Sequence, residues 1–469
     1  MRLSLDRVAH PFVVLAERFY PDPFVFAIVL TGMIFSLTLF ATETTPVDAL
    51  MIWGEGLTGL LAFTSQICVT LIGGHALAHT DVTRRGIDQV AGWPQGPRTA
   101  YALVAGIAGL ASLIAGALGL VVGGLLAVSV ARRGKARGLR LHYPLLVASA
   151  YSGFLIWHMG YSGTAPLAVA TPGHALEATL GVVPITTTTF SAWNVALAFV
   201  TLAVVAGLCS VLGPRDDALV EIPEEQAAEA SLASAASAAA GKRTAKAGDA
   251  LSEGDPTEGR TPGARLDAAR PLSAGLGGLL LIYLLSWFVT RGFALTLDVV
   301  NWTFVGLGLV LARSPRHYVD LVLDGSRIVG PVLLQYPFYA GVVALMMETD
   351  LVRLFSEGFV AIATPATLGF WAFISGGLLN FFVPSGGGQW AIQGPIFAEA
   401  AAQLGVAAPP IVMGVAYGDQ WTNLIQPFWT LPLLAIAGLD ARSIMGYCFV
   451  VFMAGFFVLG GGLLLLGAG

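Results

Sequence analysis

Nine stretches of this chain are apolar and about as long as a bilayer is thick, which leaves little choice of solvent for most of the fold. A helix needs roughly 20 apolar residues to cross the hydrocarbon core. The stretches 24–41, 57–78, 143–170, 192–212, 272–290, 295–312, 328–347, 410–437 and 444–466 approach or exceed that length. Charged residues make up 11% of the 469, against 56% hydrophobic. A soluble domain carries about 25% charged residues, so these few cannot clothe a surface in water. The implied fold class is an all-α polytopic membrane protein, with the lipid bilayer as its first partner.

Two further apolar stretches, 99–130 and 367–402, are interrupted near their middles. The breaks are Ala115-Gly116-Ala117 and Val383-Pro384-Ser385-Gly386-Gly387-Gly388. Each half is about 14 to 17 residues, short for a span, so both are expected to be re-entrant helical hairpins. Two short full spans are the plainer alternative. Lys and Arg set orientation. Arg84, Arg85 and Arg98 precede the first hairpin, and Arg132, Arg133, Lys135, Arg137 and Arg140 follow it, so it should open to the cytoplasm. The second is flanked by Glu348, Asp350, Glu357 and Glu399 against a lone Arg353, so it should open outward.

Residues 214–270 are a different material, rich in Ala, Gly, Ser, Pro and charges and without an apolar face. Such a segment cannot bury enough surface to offset its ordering entropy, so a flexible cytoplasmic linker is expected. It divides a first repeat, 1–213, from a second unit, 271–469, whose opening span 272–290 inverts the rest of that unit. The halves match. Tyr151 and Tyr417 each stand fifteen residues before Pro166 and Pro432, an offset of 266. Gly109 to Ser112 aligns with Gly377 to Asn380 at 268, and Gln66 with Gln335 at 269. Two inverted repeats with helices broken at the midplane are a transporter signature, with substrate bound between the repeats. The N-terminal stretch Leu5–Tyr20 reads as an amphipathic surface helix on the cytoplasmic side rather than a signal peptide, because Asp6, Glu17 and Arg18 interrupt it.

Two segments are too polar for their depth, Tyr151 to Pro166 and Tyr417 to Pro427. Irregular backbone inside a membrane survives only where protein or a water-filled cavity satisfies it. The first offers Ser152, His158, Ser162 and Thr164 as substrate ligands; the second offers Thr422, Asn423 and Gln426. The hairpin breaks add Ser112 in the first half, and Asn380, Ser385 and Gln389 in the second. Gly386, Gly387 and Gly388 permit positive φ and let backbone amides approach a carboxylate. Asp419 is the one carboxylate in either segment. A charge at that depth costs at least about 2.5 kcal/mol on insertion scales, so it should be paired, protonated or hydrated. That makes it the candidate for coupling to H+ or Na+. Lone hydroxyls such as Thr70 and Ser191 are better read as helix-to-helix glue.

His75 and His79 lie four apart on one helix face, a spacing that two metal ligands could use. They sit at a helix end beside Asp81 and Arg84 without a third ligand, so capping is the better reading. Cys68, Cys209 and Cys448 are scattered through apolar stretches and read as inert buried thiols. No metal, cofactor or nucleic-acid partner is expected.

The runs His142 to Gly153, Trp157 to Leu167, Asn380 to Trp390 and Gly418 to Trp429 resemble the bacterial short-chain fatty acid transporter family. The resemblance covers nearly everything outside the linker. It implies a secondary transporter of the bacterial inner membrane, moving small monocarboxylates of the acetoacetate and butyrate type. It also implies membership of the ion transporter superfamily, opposed hairpins, elevator-type alternating access and a homodimer. The Ala/Ser-rich linker is a departure from the family. A dicarboxylate carrier is the nearest alternative, disfavoured because no Lys or Arg lies in the broken segments. An intramembrane enzyme with His158 and Asp419 as base and acid is a more distant one, and no enzyme is expected.

Overall fold

The computed structural model describes residues 6–174, 176–214, 218–224, 261–292, 296–326 and 329–467. Every regular element among these residues is helical. Among the described residues eight helices are long and apolar enough to cross a membrane, and the molecule is a polytopic membrane protein. Pro23–Ala41, Ala192–Val211, Arg270–Arg291, Leu297–Leu311 and Gly330–Glu348 lie within two residues of the spans expected. Side-chain caps start three of them: the Asp22 carboxylate accepts from Phe24 N–H, Ser191 from Asn194 N–H, and Thr296 from Val299 N–H. The span expected at 57–78 begins earlier, with a helix Pro46–Gly56 that turns into Leu61–Ala78.

Both interrupted stretches fold back on themselves. In the first hairpin, Pro97–Ile114 and Gly116–Ala136 are separated by the single extended residue Ala115. The arms are antiparallel, since Gly119 packs on Ser112 and Gly123 on Ala108. They run to 18 and 21 residues, longer than the sequence suggests, and by length each can cross a membrane. The second arm gains its extra turn from Arg132, Arg133 and Lys135, whose positive charge suits a helix C-terminus. The second hairpin pairs Leu368–Asn380 with Gly386–Leu404. Gln389 donates to the Gly376 carbonyl, and Gln393 to Ser375 Oγ at 2.7 Å, zipping the arms together.

A broken helix follows each hairpin. The first runs Tyr143–Ser152, tightens to a 3₁₀ turn over Gly153–Met159, and resumes at Thr164–Ala170. The second runs Ala408–Asn423 and resumes at Pro427–Ala437. Proline needs no N–H partner in a first turn and so restarts a helix readily. This second gap is shorter than the polar run 417–427 suggests, and Asp419 to Asn423 are helical. Their side chains bond one another and neighbouring elements, which leaves the backbone ladder intact.

Around this core stand Pro23–Ala41 against Gly330–Glu348 and Leu61–Ala78 against Leu297–Leu311. The N-terminal helix Asp6–Phe19 lies on the helix Ala441–Gly455 near the other end of the chain, with Phe12 and Phe449 ring centroids 4.8 Å apart. Gly446 leaves room there for the Val13 backbone. His79 Nδ1–H donates to the His75 carbonyl at 2.8 Å, the helix-end role expected. Most of the linker, 225–260, lies outside the described residues. Its beginning is docked: Val220 accepts from Tyr143 N–H at 2.7 Å and donates to His142 Nδ1 at 3.0 Å, and Ile222 is buried. The 214–270 stretch therefore does carry an apolar anchor, the single residue Ile222, too sparse to stand out in the sequence.

Candidate functional site

Two residues 261 apart in sequence, His158 and Asp419, meet in the core with Nε2 2.9 Å from Oδ1. Both are buried. Thr164 N–H donates to His158 Nδ1 at 3.4 Å, which leaves Nε2–H to donate to the carboxylate. The His158 amide, freed by the tightened turn, donates to Gln420 Oε1 at 2.9 Å. Asn423 Nδ2 adds a second bond to Asp419 Oδ1 at 3.2 Å, while Asp419 Oδ2 has no partner among the described residues.

Asn380, at the end of the second hairpin's first arm, ties that hairpin to the second broken helix. Its amide lies 2.9 Å from the Asp419 carbonyl, 3.0 Å from Thr422 Oγ1 and 2.6 Å from Asn423 Oδ1. Gln426 Nε2 donates back to the Asn380 carbonyl at 2.8 Å. The break exposes carbonyls, and tyrosines take them up: Tyr151 OH donates to Asn423, and Tyr20 OH to Ile425 at 3.3 Å. Tyr417 OH donates to Asn194 Oδ1, whose amide reaches the Met159 carbonyl at 2.9 Å. Buried polar groups must be paired in this way or cost free energy.

At the second hairpin tip, Ser385 caps the following helix by accepting Gly388 N–H at 3.3 Å. Gly386 passes so close to the first broken helix that a Cβ would lie 2.5 Å from both His158 Cε1 and Thr164 Oγ1. A Cβ on Gly387 would have nothing within 4 Å. None of the three tip glycines has positive φ. The expectation of left-handed backbone there is corrected: glycine is required at Gly386 for close approach, inside ordinary helical geometry. Two other expected ligands are occupied within their own hairpins. Ser112 donates to the Ala108 carbonyl at 2.8 Å, and Gln389 bonds the facing arm. Ser152 is buried at the end of its helix.

Ser162 and Thr164 line a cavity of about 250 Å³. It lies between the first hairpin tip, the first broken helix, Trp429 and the surrounding helices Leu61–Ala78 and Leu297–Leu311. Four polar atoms of its lining residues are buried without a partner among the described residues: Ser162 Oγ, Thr164 Oγ1, Trp157 Nε1 and Trp429 Nε1. All four can donate, and an indole N–H can only donate. Among the described residues, no Lys, Arg, Asp or Glu lines the cavity. Trp429, Gln420 and Asn194 are parts of this arrangement that sequence reasoning did not select. Gln420 stood inside one of the two polar segments and Asn194 was a polar residue in an apolar span, whereas Tyr20 gave no signal. Among the described residues no three His, Cys, Asp or Glu side chains gather as a metal site.

Residues 4–466 match the family model described as short chain fatty acid transporter. The chain is 36% identical over 458 residues to a protein of Escherichia coli (strain K12) provisionally named a short-chain fatty acid transporter, covering 97% of this chain and 99% of that one. A protein of the same provisional name from Haemophilus influenzae is 34% identical over 474 residues, covering 97% and 99%. Among solved structures, the YdaH transporter of Alcanivorax borkumensis is similar at a TM-score of 0.43 and 15% identity, covering 95% of this chain and 98% of that one. That likeness is too distant to argue from.

Proposed function

The chain belongs to the short-chain fatty acid transporter family, and on that footing we propose that it carries acetoacetate- or butyrate-like monocarboxylates across the bacterial inner membrane, driven by protons or sodium. The observation that carries the substrate class is a cavity whose four unpartnered polar atoms can all donate, two of them as indole N–H groups that can only donate. A ligand that satisfies indole N–H groups must present acceptors, and the apolar remainder of the wall suits a short alkyl tail. Drug-sized ligands occupy cavities of about 300–1,000 Å³, so a smaller molecule fits here. A dicarboxylate is disfavoured, because a second charge would meet no cation among the described residues of the lining.

The substrate carboxylate would accept from Ser162 and Thr164, beside the helix N-terminus at Gly386. A helix N-terminus favours negative charge. Asp419 Oδ2, without a partner among the described residues, is the oxygen available to a proton or a sodium ion. The recurrence of hairpin and then broken helix in each half supports inverted repeats, hairpins opening to opposite sides, a cytoplasmic N-terminus and linker, and elevator-type access. A homodimer completes the reading. The deciding experiment is uptake of labelled butyrate into proteoliposomes under imposed pH or sodium gradients, with acetoacetate, propionate and succinate as competitors. Monocarboxylates should compete and succinate should not. Stronger competition by succinate would overturn the substrate class.

A further inference from the structure

The four unpartnered polar groups of the cavity belong to the broken helices, whereas its far wall comes from two surrounding helices, where the Thr296 hydroxyl is taken up in capping Val299 N–H. Phe63 and Ile67 stand on Leu61–Ala78, and Leu297 and Val300 on Leu297–Leu311. Ile67 and Val300 are buried. Three hydrogen bonds bracket these two residues and have no other evident use. Gln66 Nε2 donates to Asp298 Oδ1 at 2.8 Å, Asn301 Nδ2 donates to the Gln66 carbonyl at 2.9 Å, and Thr70 OH donates to Asn301 Oδ1. Polar bonds of this kind fix one membrane helix against another. Here they fix the register of the helices on either side of Ile67 and Val300, and so the position of those side chains.

We infer that Ile67 and Val300 set the longest alkyl chain the transporter accepts, with the Gln66–Asn301–Asp298 and Thr70 bonds holding that wall at fixed depth. This rests on the monocarboxylate reading above. A carboxylate anchored at Ser162 and Thr164 directs its tail away from the polar groups. Each added methylene must then find room at the β-branched side chains of Ile67 and Val300. Such a wall discriminates by excluded volume, at about tenfold or more per methylene.

The test is competition of labelled butyrate uptake by unlabelled acids from acetate to octanoate, in wild type, Ile67→Ala and Val300→Ala. Either alanine variant should favour hexanoate relative to butyrate by about tenfold, while acetate falls back. Ile67→Val, a milder change, should move the ranking the same way by less, which covers an alanine variant that fails to fold. Thr70→Val should broaden the ranking without moving its centre. Thermal stabilisation by the same acids in detergent gives a readout independent of transport rate. An unchanged ranking in folded, active alanine variants overturns the wall. Wild type that neither transports nor is stabilised by any of these acids overturns the monocarboxylate reading itself, a separate result.

Discussion

One oxygen of Asp419 is held by His158 and Asn423, and the other has no partner among the described residues. The held oxygen fixes the side chain, and the free one is open to chemistry. Asp419→Asn should therefore abolish gradient-driven accumulation while counterflow exchange of butyrate persists. Full concentrative uptake by this variant, with unchanged pH and sodium dependence, would exclude a coupling role. The tip glycines separate packing from access. Gly386→Ala puts a methyl into His158 and Thr164, an overpacking typically worth about 1–3 kcal/mol, and should lower the thermal midpoint. Gly387→Ala meets open space and should leave the midpoint unchanged, so that any loss of substrate affinity reports on the ligand path. His158, Thr164 and Asp419 were legible in the sequence because polar groups at membrane depth need a reason. Ser112 and Gln389 looked equivalent to them, but Ser112 bonds a carbonyl one turn back in its own helix and Gln389 bonds the facing arm of its hairpin.

The membrane spans were readable because apolar length is a one-dimensional property. What escaped were short contacts between a loop and a helix end. At the docked start of the linker, burial pushes the His142 imidazole down to about 4. Its Nδ1 accepts the Val220 amide and its Nε2 lies 3.0 Å from Tyr447 OH. Between the ordinary value near 6.5 and about 4, the undocked histidine binds a proton that the docked one refuses. Acid therefore favours release, with a slope of at most about 1.4 kcal/mol per pH unit, and docking is complete above 6.5. The protection factor for amide exchange at Val220, corrected for the intrinsic pH dependence of exchange, should fall as pH falls below 6.5, and His142→Gln should make that factor insensitive to pH. Tyr20 ties the N-terminal helix to the break in the second broken helix. Tyr20→Phe should cost about 0.5–1.5 kcal/mol of stability, measured as a lowered thermal midpoint. A midpoint at the wild-type value would mean the Ile425 carbonyl finds another donor.

The division of the chain into two parts with matching motifs was visible in the sequence, and hairpin followed by broken helix recurs in both. Of the residues that join the parts, His158 and Asp419 were paired only as base and acid of the enzyme alternative, and the bonds of Tyr151 to Asn423 and Tyr417 to Asn194 leave no local pattern. With 225–260 removed from the covalent path, fragments 1–224 and 261–469 expressed together should reassemble and take up butyrate, and neither alone should. Independent activity of one fragment would show that the central bonds between the halves are dispensable. Those bonds also have a timetable. His158 is made 261 residues before the carboxylate that receives its ring proton, a delay on the order of ten seconds or more at ribosomal speed. During that interval His158 lacks the carboxylate that takes its ring proton, although the first hairpin and Asn194 already pack on its segment. The first broken helix should therefore stay at the insertion machinery, or at the bilayer surface, until the second half arrives.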